Sequence, residues 1–122
     1  MAVTYTVAVK NARLSAVVTQ IGSTGVLEIG TAGMASVLTT ITLNATAGTA
    51  AGGVLTFSGF PKSDPADASG TAAAARIRTA PGGTDIVTGL TVGTSGTDII
   101  LDSVNITTGQ TVTINSATIT HA

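Results

Sequence analysis

The sequence predicts a single, mainly β domain: a sandwich or barrel of short antiparallel strands preceded by one α-helix. Three observations predict it. First, apolar residues and threonines alternate in short runs, clearest in Gln110-Thr111-Val112-Thr113-Ile114 and Ala117-Thr118-Ile119-Thr120, the period-2 pattern of half-buried strands. Second, turn signals, among them Gly93, Gly96 and Gly109, fall between these runs, as expected of all-β domains whose short strands recur roughly every 8–12 residues. Third, the apolar period changes from 3.6 to 2 at Gly22, which separates a helix over about residues 6–21 from a β region over about 25–120. A chain of 122 residues fits one domain, 1–122.

The helix rests on Leu14, Val17, Val18 and Ile21, which follow the i, i+3, i+4, i+7 rule of one helical face. Lys10, Arg13 and Gln20 then point outward, and Gly22 is the stop signal. Four valines (Val7, Val9, Val17, Val18) lower the intrinsic helix propensity, so tertiary packing must hold the helix. Val26 to Ile29 reads as a strand ended by Gly30. Val37 to Leu43 alternates, with Val37, Thr39, Ile41 and Leu43 on one face and Leu38, Thr40 and Thr42 on the other. Ala45 to Gly53 holds only Ala, Gly and Thr and reads as a loop. Val54 to Ser58 is the next strand. Gly59 to Gly70 carries two prolines and two aspartates between glycines and reads as a long exposed loop.

Ala72 to Arg78 gives two signals: its alanines favour helix, while its shortness and the alternation of Arg76-Ile77-Arg78 favour strand. The strand reading puts Ala73, Ala75 and Ile77 inward and Arg76 and Arg78 outward. Pro81-Gly82-Gly83 is a turn. Residues 85–88, 90–92, 99–101, 104–106 and 111–120 follow as strands. Gly83-Thr84-Asp85-Ile86 recurs as Gly96-Thr97-Asp98-Ile99; one four-residue echo in so biased a composition does not establish a repeat.

Composition narrows the function classes. Only 9% of residues are charged, there is no Cys or Trp, and the single His is His121. A hydrolytic triad needs a histidine placed beside a nucleophile, and a penultimate residue is a poor place for one. Calcium needs six to eight oxygens, usually from a dense Asp/Asn/Gly run, and Asp64, Asp67, Asp98 and Asp102 form none; they read as turn and loop residues. Gly48 to Gly53 lacks the spacing and the lysine of a phosphate-binding loop. No enzyme activity, metal or cofactor is therefore expected. Lys10, Arg13, Lys62, Arg76 and Arg78 are scattered and the net charge is −1, unlike the clustered basic footprint of nucleic-acid binding. Mean hydropathy is +0.52, yet the uncharged stretch from Ile29 to Phe60 is broken throughout by Gly and Thr, so no membrane-spanning helix is expected. A secretory signal is not expected either, and the Asn44-Ala45-Thr46 and Asn105-Ile106-Thr107 sequons are read as chance.

The high hydropathy instead suggests Ala- and Thr-covered surfaces that pack on neighbours. Arg76 and Arg78, two residues apart on one strand face, suit either carboxylates on a partner or the protection of an exposed edge. Loops and termini are the parts free to reach a partner. The expected contact residues are Tyr5 in an N-terminal arm (1–5), Phe60, Pro61, Lys62 and Asp64 in the 60–69 loop, Arg76, Arg78, and His121 after the last strand.

Three segments carry a resemblance to a family. Tyr5-Thr6-Val7-Ala8-Val9-Lys10-Asn11-Ala12-Arg13-Leu14 resembles the K-x-A-R-L helix opening of the small virion proteins that decorate or cement the capsids of tailed bacteriophages. Gly25 to Met34 and Ser58 to Asp64 are similar to the middle region of such proteins, and Gly109 to Thr120 to their closing strand. The resemblance spans most of the chain through compositional motifs and contains no catalytic hallmark. It implies a single antiparallel β-sandwich, jelly-roll-like, that acts as a dimer or trimer on the capsid surface of the virion. The major capsid protein is the implied partner, and each copy would bury surface across the seams between its subunits. No site residues transfer, because such proteins bind through broad surfaces. Two other readings stand beside it: a structural component of the phage tail or fibre base, and a carbohydrate-binding module. The last needs exposed aromatic rings, and only Tyr5, Phe57 and Phe60 are available.

Overall fold

The structure, a computed structural model, describes residues 5–120. It is mainly β with one helix. Helix α1 (Val7–Ile21) begins at Thr6, whose Oγ1 accepts a hydrogen bond from the Val9 amide at 3.4 Å. It stops at Gly22, which takes the left-handed φ of 74° and returns its N–H to the Val18 carbonyl, as the glycine stop signal requires. Leu14 and Ile21 are buried and Val17 and Val18 pack against the core, so the helix is held by the residues its periodicity singled out.

Eleven strands follow: β1 (Val26–Gly30), β2 (Val37–Thr42), β3 (Gly48–Ala51), β4 (Val54–Phe57), β5 (Lys62–Pro65), β6 (Gly70–Thr71), β7 (Ala74–Arg78), β8 (Asp85–Gly93), β9 (Ile99–Leu101), β10 (Asn105–Ile106) and β11 (Thr111–Thr120). Nine of them form one sheet in the order β2-β1-β7-β8-β9-β11-β4-β3, with β5 paired to β11; β6 and β10 form a separate ribbon. The sheet curls until β2 lies beside β5. The Asp67 amide donates to the Leu38 carbonyl at 2.7 Å, and Thr39 Oγ1 donates to Asp64 Oδ2 at 3.1 Å. Helix α1 packs on β3, β4 and β8.

Strand β11 is the spine. Its first half pairs with β5 and its last three residues with β4, while β9 runs beside its middle. An irregularity between Ile114 and Ser116 shifts the register. The buried positions change parity across it, from Val112 and Ile114 to Ala117, because one extra residue turns every later side chain to the opposite face. The core these strands enclose is aliphatic, with Leu27, Ile29, Leu55, Ile77, Ile99, Leu101 and Ile114 all fully buried and Phe57 the one buried ring among the described residues.

Several expectations are corrected. Residues 45–53 are not a loop throughout, since Gly48–Ala51 forms β3, paired residue for residue with β4. Gly52 and Gly53 take φ of 60° and 77° and close a two-residue hairpin of the kind that needs positive φ at both positions. A side chain at Gly48 would meet the Thr56 carbonyl, so the small residues that disguise the strand are what let it approach β4. The 59–70 segment is not wholly an exposed loop either, because β5 covers the first half of β11 and Ala66 is buried behind it. Ala72 to Arg78 is strand from Ala74 on; Ala75 and Ile77 face inward as expected, but Ala73 is exposed and Ala72 is buried in its place. Residues 85–93 are one strand bent at Gly89 (φ 74°), where the register with β7 slips between Ala75 and Ile77. All ladders are antiparallel except β8 with β9, which is parallel. The intervening 94–98 segment steps the chain sideways. There Asp98 Oδ2 accepts from both the N–H and the Oγ1 of Thr91 at 3.0 Å, and Thr91 Oγ1 accepts from the Asp98 amide.

Candidate functional site

The expected contact residues fall in three separate places, apart from His121, which lies outside the described residues together with residues 1–4 of the arm.

The first place is the rim formed by β5. Lys62 donates from Nζ to Asn44 Oδ1 at 2.8 Å, and its ammonium lies 5.9 Å from the centre of the Phe60 ring. Asp64, half-buried, accepts the bond from Thr39 described above. Lys62, Ser63 and Asp64 line a shallow hollow of about 240 Å³ with Ile41 and Thr42. Phe60 is half-buried and packs against the core, and Pro61 beside it is exposed. Phe60, one of the rings on which the carbohydrate-binding reading relies, is thus partly covered by its own fold. Lys62 and Asp64 act here as fasteners between β5, β2 and the Asn44 turn.

The second place is the outer face of β1 and β7. Glu28, with its side chain only 8% exposed, sits between Arg76 and Arg78. Arg76 Nε donates to Glu28 Oε1 at 2.5 Å, and Arg78 Nη1 lies 3.8 Å from the same oxygen. Arg78 Nε is 2.8 Å from Asp85 Oδ1 at the start of β8, but its N–H is not aimed at that oxygen; this contact is one of charge, not a directed hydrogen bond. The hydrogen bond that Arg76 donates to Glu28 is the main cause that raises the Arg76 guanidinium above its ordinary pKa, with desolvation opposing it and the charges of Glu28 and Asp85 adding to it. A raised cationic pKa means the stabilisation is complete below the unfolded value and is lost only as pH rises through the folded one. Arg76 is effectively always protonated, so its side of the pair persists throughout the physiological pH range. Strand β7 lies between β1 and β8, so Arg76 and Arg78 do not guard an edge; the carboxylates they meet belong to their own chain. Arg76 and Asp85 also border an open groove of about 440 Å³ whose floor includes Ala74 and Leu90 and whose rim includes Met34.

The third place is α1. Among the described residues, Tyr5, Val7 and Val9 are the exposed large apolar ones, at 42%, 52% and 42%. The Arg13 guanidinium stacks 4.7 Å from the centre of the Tyr5 ring. Asn11 Oδ1 accepts the Gly53 amide at 2.9 Å and ties the helix to the β3–β4 hairpin.

Sequence reasoning missed Glu28, Asn44, Thr39, Val7 and Val9. Glu28 had a signal: it is the one charge in Val26-Leu27-Glu28-Ile29-Gly30, all of which is buried. A carboxylate in a strand buried on both faces needs a cation, and Arg76-x-Arg78 is the most closely spaced pair of cations in the chain. Asn44 and Thr39 had none, since short polar residues are too common here to stand out. Chemically, the carboxylates serve as latches between strands: Glu28 joins β1 to β7, Asp64 joins β5 to β2, Asp98 locks the β8–β9 step. Among the described residues no three of His, Cys, Asp and Glu are grouped to hold a metal, and no helix is long and apolar enough to cross a membrane. Comparison with protein-family models, with curated proteins and with solved structures finds no match to this chain.

Proposed function

We propose that this chain is a non-enzymatic structural protein of a tailed-phage virion, which decorates the capsid and stabilises it by binding across major capsid protein subunits. The observation that carries this reading is where the charged side chains go. Glu28, Arg76, Arg78 and Asp85 neutralise one another across three strands, and Asp64 and Asp98 fasten strand to strand. Side chains used in this way stiffen a sheet and leave backbone-shaped, Thr- and Ala-rich surface to act on a neighbour. The resemblance of the Tyr5–Leu14, Gly25–Met34 and Gly109–Thr120 segments to capsid-decorating proteins supplies the place. The two flanks of the curled sheet are, on this reading, the two layers of a jelly-roll-like sandwich, and a dimer or trimer is the working unit.

The mechanism is areal. Each copy buries part of its surface over a seam, and the net gain per copy is small because association entropy opposes it. Many copies on one shell add up. The test is to heat particles with and without the protein and follow genome release. Shells carrying it should open at a higher temperature; equal opening temperatures overturn the reading.

A further inference from the structure

We propose that the outer face of α1, together with the β3–β4 hairpin it rests on, is the surface that docks, and that its occupant is an acidic surface of another protein. This inference rests on the capsid-binding reading and identifies the face used.

Three observations converge. The first is exposure. A scattered exposed apolar residue is ordinary, but among the described residues the exposed large apolar ones, Tyr5, Val7 and Val9, all lie in or just before the first turn of α1. Ala12 and Ala16, three and seven positions on from Val9, are exposed on the same side of the helix as Val9. Val9 is β-branched, a weak helix former, and the core does not need it, since it takes Leu14 and Ile21 from a different face; Val7, seven residues before Leu14, lies on the Leu14 side. Residues that break a local rule without a gain inside the fold point to a requirement outside it.

The second is charge segregation. All six acidic residues (Glu28, Asp64, Asp67, Asp85, Asp98, Asp102) lie outside residues 1–27 and 44–59, the segments that hold α1, β3 and β4. That lobe carries Lys10 and Arg13 and no acid. The third is pairing. Arg76 and Arg78 have carboxylates and Lys62 has the Asn44 amide. Among the described residues, Lys10 and Arg13 have no carboxylate within ion-pair distance. Arg13, four positions on from Val9 and three on from Lys10, sets this uncompensated charge beside the exposed Val9.

Charge complementarity chooses the occupant. Two copies meeting symmetrically through this face would place uncompensated cations opposite one another, which is repulsive. The patch is built of valine and alanine with only two cations, a weak footprint for a lipid surface. An apolar patch edged by carboxylates on a shell subunit satisfies both features.

The experiment uses the full chain and shells assembled without it, with the bound fraction read by co-sedimentation. Val9→Ser and Arg13→Glu are made on the exposed face, and Asp102→Lys on an exposed residue outside the lobe; circular dichroism melts establish that each variant is folded. Val9→Ser and Arg13→Glu should each weaken shell binding by about tenfold or more, while Asp102→Lys binds like the parent. Binding by the parent should also fall as salt is raised from about 0.05 to 0.5 M, because the Debye length shrinks. If the parent binds and both α1 variants bind equally well, the inference is overturned and the capsid reading stands. If the parent does not bind shells, the capsid reading falls and takes this inference with it. Loss of a self-associated form of the chain on Arg13→Glu, or parent binding to phosphatidylglycerol vesicles that the α1 variants lose, overturns the choice of occupant.

Discussion

Phe57→Ala tests the inward face of the sheet where the core is thinnest in large side chains. Leu55 and Phe57 are buried on β4 while Thr56 between them is exposed, so the strand offers its own control. Phe57 is the one buried ring among the described residues. Truncating a buried Phe to Ala costs about 3–5 kcal/mol. With an unfolding entropy of about 2.1 cal/mol/K per residue, a chain of 122 residues has roughly 0.26 kcal/mol/K in total. The melting temperature should therefore fall by roughly 12–20 °C. Against a total stability on the order of 6–18 kcal/mol for this length, the variant keeps at least about 1 kcal/mol and remains folded at low temperature. Thr56→Ala, on the outer face, should cost no more than about 0.5–1 kcal/mol through its cross-strand contacts with Thr49 and Thr118. Urea unfolding followed by far-ultraviolet circular dichroism measures both, and an unchanged slope shows that the same surface is exposed in each. A loss below about 1 kcal/mol for Phe57→Ala, or an equal loss for Thr56→Ala, refutes the assignment of faces.

Two further outcomes test the latches. Glu28→Ala and Arg76→Ala should each lower the melting temperature, and the double variant should lower it by less than their sum, because each single change strands the other's charge; strict additivity in calorimetry would mean the pair contributes nothing. Asp98→Ala removes two bonds to Thr91 and should cost about 1–2 kcal/mol. Hydrogen exchange of the Thr91 amide, which donates to that carboxylate, should quicken before the rest of β8, and unchanged exchange there would remove Asp98 from its role.

The elements legible in the sequence are those where one side chain type repeats with one period. Helix α1 and β11 appear almost to the residue, because Leu14, Val17, Val18 and Ile21 share one helical face and the threonines of residues 111–120 alternate with apolar residues. β3 and β5 were illegible for the opposite reason. Gly-Thr-Ala-Ala has no hydrophobic contrast, and Lys-Ser-Asp-Pro reads as a turn; each is a strand only because β4 and β11 present an open ladder beside it. The Gly52-Gly53 hairpin was nevertheless written in the chain, since two adjacent glycines between short runs are what a two-residue turn requires.

The expected contact residues divide in the same way. Lys62, Asp64, Arg76 and Arg78 were visible as isolated charges, but their partners lie 18 to 48 positions away: Asn44 for Lys62, Thr39 for Asp64 and Glu28 for Arg76. A charge on an alternating strand looks the same from the sequence whether it faces water or a buried carboxylate.

By itself, the sequence determined the class of the molecule: one helix, then β-strands with an aliphatic core, because periodicity and turn chemistry are local properties of the chain. The tertiary structure alone decided that nine of the strands form one curled sheet with a parallel step at Asp98, that the charges of β1, β7 and β8 cancel, and that, among the described residues, Lys10 and Arg13 are left with no carboxylate in ion-pair reach. Those outcomes depend on which distant segments come to lie side by side, and the free energy that decides it belongs to the assembled core and to no single stretch of it.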